Sequence, residues 1–314
     1  MLEGKTIRFM RFRNHAAIFS GLLMLACVVS LAVNGLKYGL DFTGGTQMEV
    51  NFSSPPTLEL VRQNLTTAGY PNHEVLFYGT DQDVLIRIQE VSGADTGEAA
   101  TGETANAVME ILRNNSSGEI ELKSSSFVGS QVGDEMKEQG VLGMLVSLGM
   151  ITIFIALRFQ FKFSVGAVLS LAHDSIVTLG FFSITQMDFD LTVMAAVLAM
   201  IGYSLNDTIV VADRIRENFR ILRGCEPEEI IDIAVTQTLG RTLITSFTTL
   251  LVLLALFFFG GQAVYGFSIA LIVGVVIGTY SSIYVAATVL MFMHISKEDM
   301  MPALKDKEAL DAIP

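Results

Sequence analysis

One carboxylate stands in a stretch of chain that otherwise suits a lipid bilayer. Asp207 lies in the apolar run Ile201-Gly-Tyr-Ser-Leu-Asn-Asp-Thr-Ile-Val-Val211. An ionised carboxylate at the centre of a membrane helix costs about 2.5–3.5 kcal/mol on insertion scales, so it is kept where it is paired, protonated or in contact with water. Asp207 is therefore a candidate proton-binding residue, with Asn206 beside it and Ser204 one turn earlier as polar companions.

A second polar group interrupts the preceding apolar stretch at His173-Asp174. Ser170, Asp174 and Thr178 are four residues apart, so they share one face of a helix. This polar face must point at other helices and not at lipid. It predicts either part of a proton or water path, or an interhelical hydrogen bond that holds the bundle together; the two interpretations have equal support.

A basic residue begins a third apolar stretch. Arg241, Thr245 and Thr248 are spaced to lie on one helix face, and we expect Arg241 to approach Asp207. An adjacent guanidinium would hold the acid ionised, and its withdrawal would let the acid take up a proton. Arg241 could instead be a cytoplasmic anchor of the helix. Asp213 would mark the mouth of the path or, in the simpler interpretation, a solvated helix end.

These side chains must be positioned by membrane-spanning helices. The chain of 314 residues is 51% hydrophobic and only 17% charged, and its mean hydropathy is +0.52. Its apolar blocks reach the length of about 20 residues that a bilayer requires. Six spans are predicted, at 16–34, 139–157, 163–184, 190–212, 242–260 and 266–293.

The basic residues predict the orientation of these spans. Of the 20 Lys and Arg residues, 14 flank one set of span ends, and the short loops 185–189 and 261–265 on the opposite side have none. The positive-inside rule therefore places both termini in the cytoplasm, as segments 1–15 and 294–314. A cytoplasmic helical loop is expected at 213–240, with a pair of helices lying on the membrane surface.

An acidic domain separates the first two spans. Residues 37–138 contain 16 acidic and 6 basic residues, most of the chain's net charge of −12, which argues against a nucleic-acid partner. The predicted order of elements in residues 37–137 is βαββαβ, an α+β ferredoxin-like domain outside the cytoplasm. Its elements are expected at 40–52, 57–68, 75–78, 84–88, 103–113 and 119–128, with a loop at 93–102.

Two glycine-rich segments flank this domain. The first, Asp41-Phe-Thr-Gly-Gly-Thr46, contains Thr43, Gly44 and Gly45; the second, Phe127-Val-Gly-Ser-Gln-Val-Gly133, contains Gly129 and Gly133. A phosphate-binding loop would need a Gly-x4-Gly-Lys-Ser/Thr spacing, which neither segment has. Close backbone packing where the domain meets the membrane is the favoured interpretation. The four histidines are scattered, so no metal site or other cofactor is expected.

Several motifs together resemble the SecF family of protein-export membrane proteins. They include the two glycine-rich segments, Ala172-His-Asp174, the run from Ile201 to Asp207, Asp213-Arg-Ile-Arg-Glu-Asn218 and Thr236-Gln-Thr-Leu-Gly-Arg-Thr-Leu-Ile-Thr-Ser246. They occur in order over nearly the whole chain. This resemblance implies a non-enzymatic subunit of the bacterial inner membrane with six spans and a periplasmic domain, related to resistance-nodulation-division transporters.

The resemblance also implies partners and a coupling ion. Members of the family join SecD, associate with the SecYEG channel and act on unfolded exported polypeptides, within membrane lipid. They are thought to use the proton motive force to drive late steps of export. The acid and arginine matching Asp207 and Arg241 are implicated in proton passage, and Na⁺ is the alternative ion.

Two other classes of function stay open at this point. Asp174 and Asp207 on adjacent spans could share a proton as in an intramembrane aspartyl protease. The expected Gly-x-Gly-Asp pattern is absent, however, and the predicted depths differ by about two helical turns. A small-molecule/proton antiporter would need a second half, because six spans supply only one of two pseudo-repeats.

Overall fold

The computed structural model describes residues 6–88, 98–115, 118–222, 224–296 and 299. Six helical segments in these ranges are long and apolar enough to cross a membrane, which confirms the predicted number of spans. The predicted tail at 294–314 and the start of the predicted loop at 93–102 lie largely outside the described residues; the helix after that loop already begins at Glu98.

The elements alternate between a long-helix bundle and one small α/β domain. In chain order they are α1 (Arg13–Val33), β1 (Lys37–Tyr38), α2 (Leu40–Thr43), β2 (Gly45–Phe52), α3 (Leu58–Thr67), β3 (His73–Tyr78), β4 (Thr80–Ile88), α4 (Glu98–Asn115), β5 (Ile120–Val128), α5 (Ser130–Arg158), α6 (Phe161–Thr185), β6 (Asp188–Phe189), α7 (Leu191–Ile221), α8 (Pro227–Phe259), α9 (Tyr265–Ile283) and α10 (Val285–Phe292). We call the end of the bundle that carries the sheet the domain side, and the opposite end the terminal side.

The small domain is a four-stranded antiparallel sheet in the order β3-β4-β2-β5, with α3 and α4 packed on one face. Side chains alternate along a strand, so every second residue of β2 and β4 faces the helices. The core that results contains Met48, Val50, Val84 and Ile86 from the strands, with Leu65 from α3.

The start of the first long strand differs from the prediction. Residues Leu40–Thr43 form the helical turn α2, and the strand begins only at Gly45. The change of direction is made at Gly44 and Gly45, whose φ angles of 70° and 124° are readily adopted only by glycine. The alternating pattern was therefore misleading at its first residues.

The helices between Arg214 and Leu239 also differ from the prediction. Instead of a separate pair on the membrane surface, α7 continues to Ile221 and α8 begins at Pro227, so this segment consists of helix ends. Proline is well suited to the first turn of a helix. Ile230 and Ile231 of α8 are buried in a hydrophobic cluster that also contains Phe219 of α7, so they do not face a membrane surface.

Helices α7 and α9 approach each other closely along small residues. A Cβ atom on Gly278 would lie 3.0 Å from Cβ of Ser204, and Gly274 faces Met200 in the same way. Small residues at every fourth position let two helix backbones come together. This contact fixes which residues of α9 reach the polar side chains of α7.

One carboxylate in the sheet domain gives an expected pH dependence. Asp83 is buried and accepts hydrogen bonds from Asn51 at 2.6 Å and Thr80 at 2.7 Å, with the Lys123 ammonium 2.6 Å away. The Lys123 ammonium first, and then the Thr80 hydroxyl and Asn51 amide, lower the pKa of Asp83 to about 2. Because the folded pKa lies below the unfolded value, this stabilisation is present above about pH 4 and is lost as pH falls towards 2.

We expect Asp83→Asn to destabilise the sheet domain by about 1.5–3 kcal/mol at neutral pH, the range for hydrogen bonds to charged groups. The difference from the wild type should disappear near pH 2. Hydrogen exchange of peptides from β2 and β4 in the full-length chain, corrected for intrinsic exchange, measures both effects. Asp81→Asn, two residues earlier at an exposed position, is the matched control; an equal pH dependence in both variants would contradict the assignment.

Candidate functional site

Two carboxylates are buried within the helix bundle. Asp174 on α6 is fully buried, and Asp207 on α7 is 8% exposed. Helix α9 packs against both α6 and α7, so it can supply polar groups to both acids. The sequence predicted each carboxylate as a candidate site residue, and the structure places both inside the protein and away from lipid.

Asp207 is bonded to hydroxyl groups from two other helices. Thr242 of α8 donates its hydroxyl to Oδ1 at 2.7 Å, and Ser282 of α9 donates to Oδ2 at 2.9 Å. Both donors are neutral. Within the described ranges, no Lys, Arg or His nitrogen lies within 4.0 Å of this carboxylate.

Asp174 has a different set of partners. Its Oδ1 lies 3.0 Å from Nδ1 of His173, and its Oδ2 accepts hydrogen bonds from Ser204 and, at 2.7 Å, from Ser281. His173 is also buried, and its Nε2 has no hydrogen-bond partner in the part of the chain that the structure describes. The acid and the imidazole form a buried pair that can hold a proton between them.

The two carboxylate sites are neighbours along the same helices. Ser204, a partner of Asp174, precedes Asp207 by three residues on α7; Ser281 and Ser282, which bond the two acids, are consecutive on α9. Three helical residues correspond to about 4.5 Å of rise, or about one turn. The predicted separation of about two turns is therefore too large, and a difference in depth is no objection to a protease-like pair.

Arg241 does not occupy its predicted position. Its side chain is exposed and forms no ion pair within 4.0 Å among the described residues, while its neighbour Thr242 is buried and bonded to Asp207. Thr245, predicted on the same face, is likewise exposed and donates to carbonyl groups of its own helix. Consecutive helical residues point about 100° apart, so the face carrying Arg241 turns away from the acid.

Two other predicted residues also lie outside the buried site. Asn206 is exposed on α7. Asp213 lies one to two turns further towards the terminal side and forms ion pairs with Arg158 at 3.3 Å and Arg216 at 3.8 Å. Its side chain is 46% exposed, as the simpler interpretation expected, but it lies within α7 and not at a helix end, because the helix continues to Ile221.

An open cavity of about 720 Å³ lies between α7 and α8 on the terminal side. Asp213 and Arg241 both line it, together with Thr238, one turn before Thr242. Two of the predicted residues that do not reach Asp207 therefore line the same open groove on the terminal side of the acid. This groove is an open space on the terminal side of the buried acid, from which water could approach it.

Further hydroxyl groups extend the polar interior. Ser246 of α8 bonds Thr279 of α9 at 2.7 Å and lies 3.4 Å from the Tyr203 hydroxyl. Ser170 and Thr178, predicted beside Asp174, are fully buried and have no described hydrogen-bond partner. Buried polar atoms without protein partners commonly bond internal water, so this interior is suited to water molecules.

The sequence predictions missed the hydroxyl donors on α9. Ser281 and Ser282 are consecutive in an apolar helix, and that pair was a usable signal, since consecutive helical residues face different neighbouring helices.

No three His, Cys, Asp or Glu side chains of the described ranges converge in a way that could hold a metal ion.

The glycine-rich segments meet where the sheet domain joins the bundle. A Cβ atom on Gly133 would lie 3.0 Å from the backbone nitrogen of Gly44, so the two backbones are in close contact. Gly129 directly precedes α5. Asp41 accepts a hydrogen bond from the backbone of Leu191 at the start of α7 at 3.1 Å, and Thr43 donates to backbone carbonyls of its own segment.

Charged residues tie the same junction together. Strand β1 pairs in parallel with β6, the loop between α6 and α7. Lys37 of β1 lies 3.0 Å from Asp188 of β6, and both also contact charged side chains of the sheet, Glu74 and Arg87. The end of α1, the loop before α7 and the sheet are therefore connected through four side chains.

Comparisons with known proteins agree with this architecture. Residues 107–296 match the family model "Protein export membrane protein SecD/SecF, C-terminal", and residues 29–56 match "SecD/SecF GG Motif". Curated relatives named protein translocase subunit SecF include one from Vibrio alginolyticus, 45% identical over 98% of this chain and 96% of its own length. Another, from Pseudomonas aeruginosa, is 46% identical over 98% of both chains.

A solved structure has the same fold over most of the chain. The crystal structure of SecDF, a translocon-associated membrane protein from Thermus thermophilus, is 32% identical with a TM-score of 0.82. The match covers 94% of this chain and 39% of the SecDF chain. The chain therefore corresponds to about two fifths of that longer protein.

Proposed function

This chain belongs to the SecF family of protein translocase subunits, and we propose that it acts with SecD as a proton-driven, non-enzymatic subunit of protein export. One observation carries the proton part of this proposal: two buried carboxylates have neighbouring partners on α7 and α9, and among the described residues Asp207 is bonded to neutral hydroxyl groups and to no cation. A buried carboxylate without a counter-charge is costly when ionised. No described cation would be left unpaired if this carboxylate bound a proton, which suits a proton-binding role.

Proton binding at Asp207 would alter the packing of three helices. The carboxylate holds α7, α8 and α9 together through Thr242 and Ser282. When Asp207 is neutral, its hydroxyl oxygen no longer accepts as strongly, and one of the two donors loses a charge-assisted bond. A change of charge at one site thereby favours a different arrangement of helices, which is what coupling of a proton to movement requires.

The exposed faces of α7 and α8 support SecD as the partner. Small or polar residues are exposed on α7 at Ala195, Ala199, Gly202 and Asn206, and the exposed Arg241 follows on α8. Arginine and asparagine at membrane depth are costly against lipid, and small residues allow a second helix to approach closely. We assign this surface, the small-residue face of α7 with Arg241, to contact with SecD.

Several further features of the family belong to the same proposal. The βαββαβ order and the sheet order β3-β4-β2-β5 support a ferredoxin-like domain. Its net negative charge and the basic residues near the terminal side support a periplasmic domain with both termini in the cytoplasm, in a bacterial inner membrane. The SecYEG channel and unfolded exported polypeptides are the proposed partners beyond SecD.

The coupling ion is tested by separating two gradients. We expect the complete complex in proteoliposomes to accelerate export under a proton gradient and not under a sodium gradient of equal size. Both gradients are imposed on the same preparation, and protection of an exported substrate from external protease is measured. Acceleration by Na⁺ alone would assign the site to sodium, and acceleration by neither ion would refute gradient-driven function.

The SecD surface is tested by one substitution at two positions. Gly202 on α7 and Gly149 on α5 are both exposed, and a Cβ atom at either would meet nothing within 4 Å. We expect Gly202→Leu to reduce recovery of SecD with this chain by about tenfold, equivalent to 1.4 kcal/mol of binding. Gly149→Leu should leave recovery unchanged; equal recovery in both variants would place SecD elsewhere.

A further inference from the structure

The buried imidazole of His173 has one nitrogen that the described residues do not bond. Its Nδ1 faces Asp174 at 3.0 Å, and its Nε2 is buried without a described partner. A proton added to the Asp174–His173 pair leaves a hydrogen on Nε2 as well as on Nδ1. Through its Nε2–H group, the protonated imidazole can therefore present a positive charge to side chains other than Asp174.

On its other side His173 meets Tyr280 of α9. The two ring centroids are 6.3 Å apart and the rings are tilted by 40°. A cation near the face of a tyrosine ring is attracted to it at about this distance. Protonation of His173 would thus strengthen its contact with Tyr280, whereas the neutral imidazole has no such attraction.

Tyr280 in turn is bonded to α1. Its hydroxyl donates to the backbone carbonyl of Ala16 at 3.0 Å and lies 3.0 Å from the Ser20 hydroxyl, which is left to act as donor. Ser20 is buried. Further along the chain, α1 packs against α6. Cys27 of α1 contacts Gly180 of α6, and the Ser30 hydroxyl of α1 lies 2.9 Å from the Ser183 hydroxyl of α6.

Helix α1 leads directly into the junction with the sheet domain. It ends at Val33, and Lys37 of β1 follows within four residues. Lys37 contacts Asp188 and the sheet residue Glu74. A shift of α1 along its axis must therefore move β1 or strain these ion pairs.

From this series of contacts we infer that His173 and Tyr280 couple the proton state of Asp174 to the position of α1, and through α1 to the sheet domain. The inference rests on the proposed proton-driven function. Tyr280 is a positioning residue, and the hydrogen-bonded pair of Asp174 and His173 is the proton-binding group. The titratable groups facing the imidazole are Asp174 on α6 and Tyr280 on α9; α1 contributes the hydroxyl of Ser20, with Cys27 about two turns beyond it.

The test uses the complete complex in proteoliposomes with Tyr280→Phe, which keeps the ring and removes only the hydroxyl. We expect gradient-dependent export to fall about tenfold, within the range of coupling between two sites in proteins, while proton uptake by the vesicles stays within about twofold. Ser20→Ala removes only one of the two hydrogen bonds between Tyr280 and α1, so it should give a smaller loss in the same direction. The double variant should add little to Tyr280→Phe, because that change already removes both hydrogen bonds.

The matched control is Tyr284→Phe, one turn further along the chain, whose ring packs on Tyr280 at 5.4 Å between centroids. It should change neither export nor proton uptake. Normal export by Tyr280→Phe would overturn the inference, and so would a parallel loss of proton uptake, which would make Tyr280 part of the proton path itself. If the wild-type complex shows no gradient-dependent export, the proposed function fails together with the inference.

Discussion

Replacing Asp207 with asparagine should reduce gradient-dependent export to the level measured without a gradient, while the subunit still assembles with SecD. An asparagine side chain has almost the same shape and can still accept a hydrogen bond from Thr242 or Ser282. It cannot change its charge with pH. The substitution therefore removes proton binding and retains most of the packing between α7, α8 and α9.

Three measurements separate this expectation from a structural defect. Recovery of SecD reports assembly, thermal unfolding in detergent reports packing, and substrate protection under a proton gradient reports function. Asp213→Asn is the matched control on the same helix, because Asp213 is half-exposed and paired with Arg158 and Arg216; exposed pairs of this kind contribute about 0–1 kcal/mol. Normal gradient-dependent export by Asp207→Asn would refute the proton-binding role of this acid.

The sequence was sufficient to predict the acid but not its partner. Both Arg241 and Thr242 lie at the right depth, and polar residues occur on all sides of this part of α8. A helical period identifies the buried face only where polar and apolar residues separate. Here they do not separate, so the choice between two consecutive residues depended on packing against α7, which only the structure supplies.

The same limit explains the hydroxyl groups on α9. Ser282 is four residues after Gly278 and eight after Gly274, in the stripe of small residues that packs on α7, while Ser281 lies outside that stripe. Whether a serine only permits close approach or also donates to a carboxylate depends on what lies opposite. That information comes from the register between α9 and its neighbours, which is set by Gly274 and Gly278 against α7.

The sheet domain was easier to predict than the site. Its strands alternate between buried and exposed residues, and its core contains the apolar side chains of those patterns. The first strand was predicted to begin too early, because Leu40 and Phe42 also alternate. Both are buried, but Phe42 packs against the bundle, with its ring stacked on Phe189 at 6.2 Å between centroids.

Asp174→Asn should abolish gradient-dependent export as completely as Asp207→Asn, if both acids lie on one path. The oxygen of asparagine can accept the two hydroxyls of Ser204 and Ser281, and its amide can donate to Nδ1 of His173. The variant therefore satisfies every partner of the native carboxylate and lacks only the ability to ionise. A loss of export without a loss of SecD recovery would be an effect of charge.

The consecutive serines distinguish one shared path from two separate acids. Ser281 donates to Asp174 and Ser282 to Asp207, so alanine at either position removes one hydrogen bond from one acid, worth about 1.5–3 kcal/mol for a charged partner. Each change weakens the hydrogen bonding of one acid and leaves the other acid's partners in place. If the acids act in series, both single variants should shift the pH profile of gradient-dependent export in the same direction. If Ser282→Ala shifts the pH profile of export and Ser281→Ala does not, Asp174 has only a packing role. It would then be the interhelical hydrogen bond that the sequence also allowed.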